Sequence, residues 1–169
     1  RGRTRRPADA TFMHYECELA VVIGRHAKRV KRANALEYVA GYTIANDYAI
    51  RDYLENWYRP NLRVKNRDGC TALGPWLVDA ADVPDPHALG LRTFVNGELK
   101  QNSNTKQLIY DCRKLIEWGS TFYTFYPGDV LYTGTPDGVS PVKPGDVMLA
   151  SIDPIGEMTV PVRAHKAGA

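Results

Sequence analysis

Short apolar runs and alternating apolar and polar residues, separated by turn residues, make up most of this chain. That pattern is typical of β-strands, which are rich in β-branched and aromatic residues and end at Gly, Pro, Asn or Asp. It predicts strands near residues 15–23, 38–45, 71–79, 91–96, 128–133, 146–152 and 157–163. Asn96-Gly97, between two β-prone segments, predicts a hairpin with a type I′ turn.

Helical patterns are confined to three segments, at residues 34–39, 48–57 and 105–121. In the last segment Leu108, Cys112, Leu115 and Trp118 recur near the helical period. A few helices among many strands indicate an α+β domain that is mostly β, built as a mixed β-roll or barrel. In such a fold, strand ends bring polar side chains together at one open end.

Two acidic residues begin the most apolar of the predicted strands. Side chains repeat every two residues along a strand, so Glu16 and Glu18 leave the same face, with His14 beside them, and Cys17 faces the core. Two buried like charges without a partner would be strongly destabilising. The pair is therefore either a solvated strand start or a site for a divalent cation, which prefers carboxylate oxygen.

Further downstream, two residues extend this candidate site. Asp47 directly follows a β-prone run, where a strand would deliver it as a third ligand. Three carboxylates leave positions on an octahedral ion for a chelating substrate and water. Lys65 precedes the turn Asp68-Gly69 and is either a solvated lysine or a charge that neutralises a bound anion. His14 is a candidate proton carrier, although a rim histidine is the simpler interpretation.

These motifs, in this order, resemble the fumarylacetoacetate hydrolase family. The resemblance covers the chain from Thr11 to about Val162. It implies the C-terminal fold of that family, Mg²⁺ or Mn²⁺ bound by Glu16, Glu18 and Asp47, and a Lys65 that holds the substrate or its enolate. The matching segments are Glu16–Gly24, Gly41–Thr43, Asn46–Tyr48, Arg51-Asp52, Lys65 with Asp68-Gly69, Gly74–Trp76, Asn96–Glu98, Pro127–Asp129 and Thr133–Pro136.

Three further residues are expected to bind the substrate. The resemblance suggests that Thr135, in Gly-Thr-Pro, hydrogen-bonds to a substrate carboxylate, whereas a capped turn is the simpler alternative. Arg51 could clamp a carboxylate or pair with Asp47 or Asp52. Gln101 keeps the spacing of a Gln-x-x-x-Thr motif of the family and is placed with the substrate pocket.

The implied activity is metal-dependent decarboxylation or isomerisation of an unsaturated 2-oxo dicarboxylic or tricarboxylic acid. The resemblance places it in the catabolism of 4-hydroxyphenylacetate or homoprotocatechuate, by way of an enolate. Two alternatives of the same family stay open, an acylpyruvate hydrolase and an oxaloacetate decarboxylase. A different class is also open: a non-catalytic β-domain that binds a protein partner, or RNA through residues 1–6.

Charge and length narrow these possibilities. The chain has 169 residues and a formal net charge of +3, but four of the basic residues are arginines within the first six positions. The remainder is near neutral, which argues against a nucleic-acid-binding face. Residues 1–10 are interpreted as an N-terminal arm or truncated end, and 11–169 as a single catalytic domain. The lid helix that the family carries upstream has no match before Glu16.

The cysteines and the apolar runs give no indication of a zinc site, a disulfide framework or a membrane segment. Cys17, Cys70 and Cys112 show neither zinc-ligand spacing nor a disulfide framework. No apolar run is long enough for a membrane helix and no signal peptide is visible, which predicts a cytoplasmic protein with no membrane partner. The expected partner is a small 2-oxo acid, and the resemblance implies a homodimer.

Overall fold

The structure, a computed structural model, describes residues 3–54 and 62–165. Its strands are β1 Thr4–Arg6, β2 Met13–His14, β3 Cys17–Ile23, β4 Val39–Asp47, β5 Ala49–Ile50, β6 Thr71–Asp79, β7 Gly90–Val95, β8 Glu98–Asn104, β9 Val130–Tyr132, β10 Pro141–Val142, β11 Val147–Ile152 and β12 Gly156–Ala164. The α-helices are α1 Leu62–Lys65 and α2 Cys112–Phe122. Short 3₁₀ helices span Arg32–Tyr38, Arg51–Tyr53, Ala80–Asp82 and Thr105–Gln107.

The described strands form three open sheets. One has the order β1-β12-β11-β7-β8, the second β6-β4-β3-β9, and the third, of very short strands, β10-β2-β5. All neighbouring pairs are antiparallel except β1 and β12, which run parallel. The mostly β class with few helices is therefore confirmed, with open sheets in place of a closed barrel.

The pairing of β3 with β4 determines which polar residues meet. Cys17 lies opposite Asn46 in this ladder, and the Asp47 N–H donates to the Glu16 carbonyl at 2.9 Å. The start of β3 and the end of β4 thus lie at the same end of the sheet. There β2 pairs with β5, so that His14 lies opposite Ala49 and next to the turn that carries Arg51.

Apolar side chains of β3, β4 and the five-stranded sheet fill the core. Leu19, Ile44, Met148 and Ile152 are fully buried. Since β3 is flanked by β4 and β9, nearly all its residues are buried, which explains the continuous apolar run. Cys17 lies in this core as predicted, and all three cysteines are free and buried.

All seven predicted strands are present, with ends displaced by a few residues. The hairpin is confirmed: Asn96 and Gly97 both have positive φ, of 52° and 84°, as a type I′ turn requires. Strand β8 was predicted only as the second half of the hairpin, and four strands, β1, β2, β5 and β10, were not predicted at all. They have only two or three residues each, too few for a periodic pattern, and depend on distant partners. One of them, β1, lies in the segment interpreted as an arm, and Arg1 lies outside the described residues.

The predicted helices need correction. Residues 34–38 belong to a 3₁₀ helix, and Val39 already begins β4. The segment 105–121 divides into a 3₁₀ turn and α2, because Asp111 caps α2 by accepting the Lys114 N–H at 2.7 Å. The helix at 48–57 is wrong over its described part, where Ala49–Ile50 is a strand and only Arg51–Tyr53 turns. Residues 55–57 lie outside the described ranges. No described helix is both long and apolar enough to span a bilayer.

Candidate metal centre

Three carboxylates meet at the shared end of β3 and β4. One oxygen each of Glu16, Glu18 and Asp47 lies within 4.8 Å of the other two. Glu16 and Glu18 are only 6% and 4% exposed. Glu16 and Glu18 lie on the same side because alternate side chains of a strand share a face, whereas the β3–β4 register places Asp47 beside them. All donors are oxygen, which suits a hard divalent cation.

Two cations neutralise one side of this cluster. The Lys65 Nζ, at the end of α1, donates to Glu16 Oε2 at 2.6 Å and to Asp47 Oδ2 at 2.5 Å. Arg51 Nη2 donates to Glu16 Oε1 at 2.7 Å. Arg51 therefore pairs with Glu16 and with neither of the acids expected for it. Asp52 instead accepts the backbone N–H groups of residues 11 and 12.

Lys65 is held in its charged form. Burial on its own would lower the pKa of Lys65, but the hydrogen bonds and charges of Asp47 and Glu16 outweigh burial and raise the pKa above its ordinary value. A lysine in this state acts as a fixed positive charge and a donor, and it cannot serve as a general base near neutral pH.

Glu18 has a different environment. Its Oε2 accepts the Gly134 N–H at 2.5 Å, and no salt bridge of the described residues reaches it. Burial raises the pKa of Glu18 to about 7, with the charges of Asp47 and Glu16 acting in the same direction. Near neutral pH this carboxyl is thus close to half protonated. A bound cation would displace that proton.

The loop at residues 133–137 joins Glu18 to the residues predicted to bind substrate. Thr133 Oγ1 donates to the Leu19 carbonyl at 2.8 Å, which ties the loop to β3. Gln101 Nε2 donates to Thr135 Oγ1 at 3.0 Å and to the Pro136 carbonyl at 2.9 Å. Gln101 is 1% exposed. The structure thus places Gln101 behind the loop, while Thr135 is half-buried in it.

His14 lies beside the cluster in β2 and is half-buried. Its Nδ1 is buried and has no hydrogen-bond partner among the described residues. Burial, and then the charge of Arg51, lower the pKa of His14 below its ordinary value, although Glu16 opposes the shift. The imidazole is therefore neutral near pH 7 and able to accept a proton.

A cavity of about 510 Å³ adjoins the same loop. It shares Gly134 and Thr135 with the surroundings of Glu18, and its other walls come from β7, β8 and the segment that leads into α2. Most of its lining surface is apolar, although half of the lining residues are polar; no Lys or Arg of the described residues lines it, and Asp137 is its one acidic residue. The volume suits a small organic molecule, and the lining suits an uncharged part of it. Wall residues include Leu91, Ser103, Leu108, Tyr110 and Leu115.

Comparison with known proteins identifies the family. Residues 1–163 match the model for the fumarylacetoacetate (FAA) hydrolase C-terminal family. The chain belongs to this family. It is 58% identical over 153 residues to the 4-hydroxyphenylacetate degradation bifunctional isomerase/decarboxylase of Salmonella dublin, a match that covers 90% of this chain and 36% of that protein. The chain thus spans about a third of the length of this curated relative.

Solved structures of the family have the same fold. The 5-carboxymethyl-2-hydroxymuconate delta-isomerase of Mycobacterium smegmatis is 43% identical with a TM-score of 0.92, over 98% of this chain and 64% of that one. The fumarylpyruvate hydrolase of Pseudomonas aeruginosa, solved with Mn²⁺ and pyruvate, is 33% identical with a TM-score of 0.91, over 97% of this chain and 71% of that one. The fumarylacetoacetate hydrolase C-terminal fold is confirmed.

The sequence indicates the acidic residues and the two cations that bind them, but not the uncharged groups that hold them in place. Asn46 Oδ1 accepts the Glu16 N–H at 2.9 Å, and the Gly134 N–H binds Glu18. Thr93, from β7, binds the Gln101 amide. Asn46 and Gly134 lie in motifs that carry the family resemblance, and this was the available signal. Nothing in the sequence marks Thr93.

Proposed function

We propose that this chain is the metal-dependent catalytic domain of an enzyme that decarboxylates or isomerises an unsaturated 2-oxo dicarboxylic or tricarboxylic acid in aromatic catabolism. The observation that carries the proposal is the convergence of three buried or half-buried carboxylates around a space that Lys65 closes on one side. The activities for which the Salmonella and Mycobacterium relatives are named support the reaction class.

Glu16, Glu18 and Asp47 would hold Mg²⁺ or Mn²⁺. The site fits such an ion because its donors are hard oxygens and because no salt bridge of the described residues reaches Glu18, so that a cation would supply its direct counter-charge. The Mn²⁺ in the related hydrolase supports the kind of metal. When bound, the ion would supply Lewis-acid activation of a 2-oxo acid.

Lys65 would stabilise the charge that the reaction creates. When CO₂ leaves, or when a proton moves along the carbon chain, an electron pair is delocalised onto the 2-oxo oxygen. Since the Lys65 ammonium is held in place by Glu16 and Asp47, it needs no reorganisation to meet this charge. A preorganised donor of this kind contributes roughly 10²- to 10³-fold to kcat.

Arg51 and Thr135 would bind the substrate, and His14 would carry a proton. Among the described residues, the partly exposed Arg51 guanidinium donates to Glu16 alone, which leaves donors for a substrate carboxylate. Thr135 accepts from Gln101 and can donate its own proton. The buried, unpartnered Nδ1 of His14 supports a role in proton transfer.

A second candidate is hydrolysis or tautomerisation of an acylpyruvate. The cavity beside the loop favours it, because a lining without Lys or Arg suits an uncharged acyl tail better than a carboxylate.

A homodimeric, cytoplasmic enzyme is also proposed, on the family resemblance alone. Light scattering coupled to size-exclusion chromatography tests whether the protein is a dimer.

The test is a substrate panel with the full-length protein, stripped of metal and reloaded with Mg²⁺ or Mn²⁺. CO₂ release and the loss of diene absorbance are measured with unsaturated C7 dicarboxylates, acylpyruvates and oxaloacetate. We expect metal-dependent turnover of the dicarboxylates, which Glu16→Gln abolishes. Turnover of acylpyruvates alone would select the second candidate. Metal-independent turnover, or none with any 2-oxo acid, would refute the proposal.

A further inference from the structure

Both polar atoms of the Gln101 side chain make hydrogen bonds inside the protein. Its Oε1 accepts the Thr93 hydroxyl at 2.7 Å, and its Nε2 donates to Thr135 Oγ1 and to the Pro136 carbonyl. A carbonyl oxygen only accepts, so Pro136 fixes which end of the amide is the NH₂ group. Thr93 must then be the donor to Oε1. Thr93 is fully buried and Gln101 nearly so, and the arrangement has no alternative partner in water.

The loop that Gln101 holds has little other support. Residues 133–137 belong to no strand or helix, so no ladder of backbone hydrogen bonds defines the position of the loop. Gly134 has a positive φ of 98°, as is typical of glycine in a turn. Thr133 anchors the beginning of the loop on Leu19, and Tyr15 anchors its end by donating to the Gly138 carbonyl at 2.7 Å. Between these anchors, two described side chains bind the loop: Glu18 accepts the Gly134 N–H, and Gln101 donates to Thr135 and Pro136.

Two groups of the candidate site depend on where this loop lies. The Gly134 N–H meets Glu18 Oε2, and Thr135 follows directly. A shift of the loop by an ångström would break the Glu18 hydrogen bond and redirect the Thr135 hydroxyl. Gln101 is adjacent to both groups without contacting any of the three carboxylates.

We infer that Gln101, oriented by Thr93, is a positioning residue of the metal centre: it fixes the loop at 133–137 so that Gly134 binds Glu18 and Thr135 faces the substrate. The inference rests on the proposed metal-binding function. It assigns to Gln101 a role different from the direct substrate contact that the sequence suggested, and it adds Thr93, a residue of the opposite sheet, to the site.

The experiment compares three variants of the full-length protein. Gln101→Met keeps the length of the side chain and removes its hydrogen bonds, and Thr93→Val removes only the hydroxyl that orients the amide. Ser120→Ala is the matched control. Ser120 is as buried as Thr93 and makes two hydrogen bonds, with Val30 N–H and the Glu117 carbonyl, but it lies in α2.

Four quantities are measured: the Kd for Mn²⁺ from the electron paramagnetic resonance signal of free Mn²⁺, hydrogen–deuterium exchange of the peptide that carries residues 133–138, the KM for substrate, and the melting temperature. We expect Gln101→Met to weaken Mn²⁺ binding by about tenfold and to speed exchange in the loop. Thr93→Val should give the same pattern at about threefold. Ser120→Ala should lower the melting temperature but change the Kd by less than about twofold.

The opposite result is equally clear. If Gln101→Met left the Kd and the loop exchange unchanged and raised only the KM for substrate, Gln101 would be a substrate contact and the inference would be overturned. If Gln101→Met did not fold, Thr93→Val would decide by the same two readouts. If wild-type protein bound no Mn²⁺, the proposed function would fail, whereas the exchange data would still show whether Gln101 holds the loop.

Discussion

The two sides of the carboxylate cluster are held by different kinds of interaction, salt bridges on one side and a backbone hydrogen bond on the other. On the ionic side, Glu16 and Asp47 share the Lys65 ammonium, and Glu16 also binds Arg51. On the neutral side, Glu18 has one backbone N–H from the loop at 133–137, which uncharged groups hold in place. The ionic side is therefore nearly neutralised by the protein itself. The neutral side is where a bound cation would change the electrostatics most.

This difference separates the tasks of the residues. On the ionic side, Lys65 lies between two proposed metal ligands, Glu16 and Asp47, and carries a fixed positive charge that suits the proposed reacting anion. The neutral side adjusts to the metal, because burial makes ionised Glu18 costly until a cation is present. Each of the following experiments substitutes a residue or titrates a group on one side only.

The largest effect is expected from Asp47→Asn. The substitution keeps the shape of the side chain and an acceptor for Lys65, but it removes a negative charge from the metal centre. Metal-dependent turnover should fall by at least about 10³-fold, while the melting temperature changes by only a few degrees. Steady-state rates at increasing Mn²⁺ measure the loss. More than a tenth of wild-type activity in metal-titrated buffer would show that Asp47 is not a ligand.

Lys65→Met should have the next largest effect and a different signature. Without the ammonium, kcat is expected to fall by about 10²- to 10³-fold and KM to change much less, since the charge is needed mainly in the transition state. Binding of Mn²⁺ should not weaken, because a positive charge next to the ion is removed. The conservative Lys65→Arg should recover part of kcat. A rise in KM with an unchanged kcat would instead make Lys65 a binding residue only.

The raised pKa of Glu18, on the neutral side, predicts that metal binding depends on pH. The folded pKa of Glu18, about 7, lies above its ordinary value of 4.5, so the folded protein without metal retains a proton on Glu18 between these values. The cation must displace that proton. The affinity for Mn²⁺ should therefore fall about tenfold for each pH unit below pH 7 and level off above it. Calorimetry in two buffers of different ionisation enthalpy detects the released proton.

Glu18→Gln is the matched variant for this titration. It keeps an acceptor for the Gly134 N–H but has no proton to lose. Its affinity should be weaker than that of wild type, with a flat profile over the same pH range. A wild-type profile that is also flat down to pH 5 would mean that Glu18 is ionised without the metal, and that burial does not control this side of the cluster.

Local patterns in the sequence were sufficient to predict the part of the site that lies within one strand. The period of two placed Glu16 and Glu18 on one face, and both lie in the cluster. The position of Asp47 beside them depends on the β3–β4 register, which distant contacts define. The helix predicted at 48–57 failed for the same reason, because the two-residue pairing of β5 with β2 overrides the local preference.

Side-chain partners were the least predictable part. Gln101 was identified, but the loop residues that its amide NH₂ group binds lie 34 to 35 positions away along the chain and have no regular structure. A sequence motif indicates that such a residue is important to the site. It does not indicate whether the residue contacts the ligand or supports the group that does.

The smallest effect is expected from His14→Gln, which tests whether the ionic side includes an uncharged proton carrier. Isomerisation moves a proton between two carbons of the substrate, whereas the carbon left after CO₂ loss can take its proton from water. His14→Gln should thus slow isomerisation by about tenfold and leave CO₂ release within about twofold. Parallel assays on one protein preparation compare the two rates. Because a histidine that only packs against Glu16 would affect both reactions through the metal, an equal loss in both would assign His14 to the support of the site.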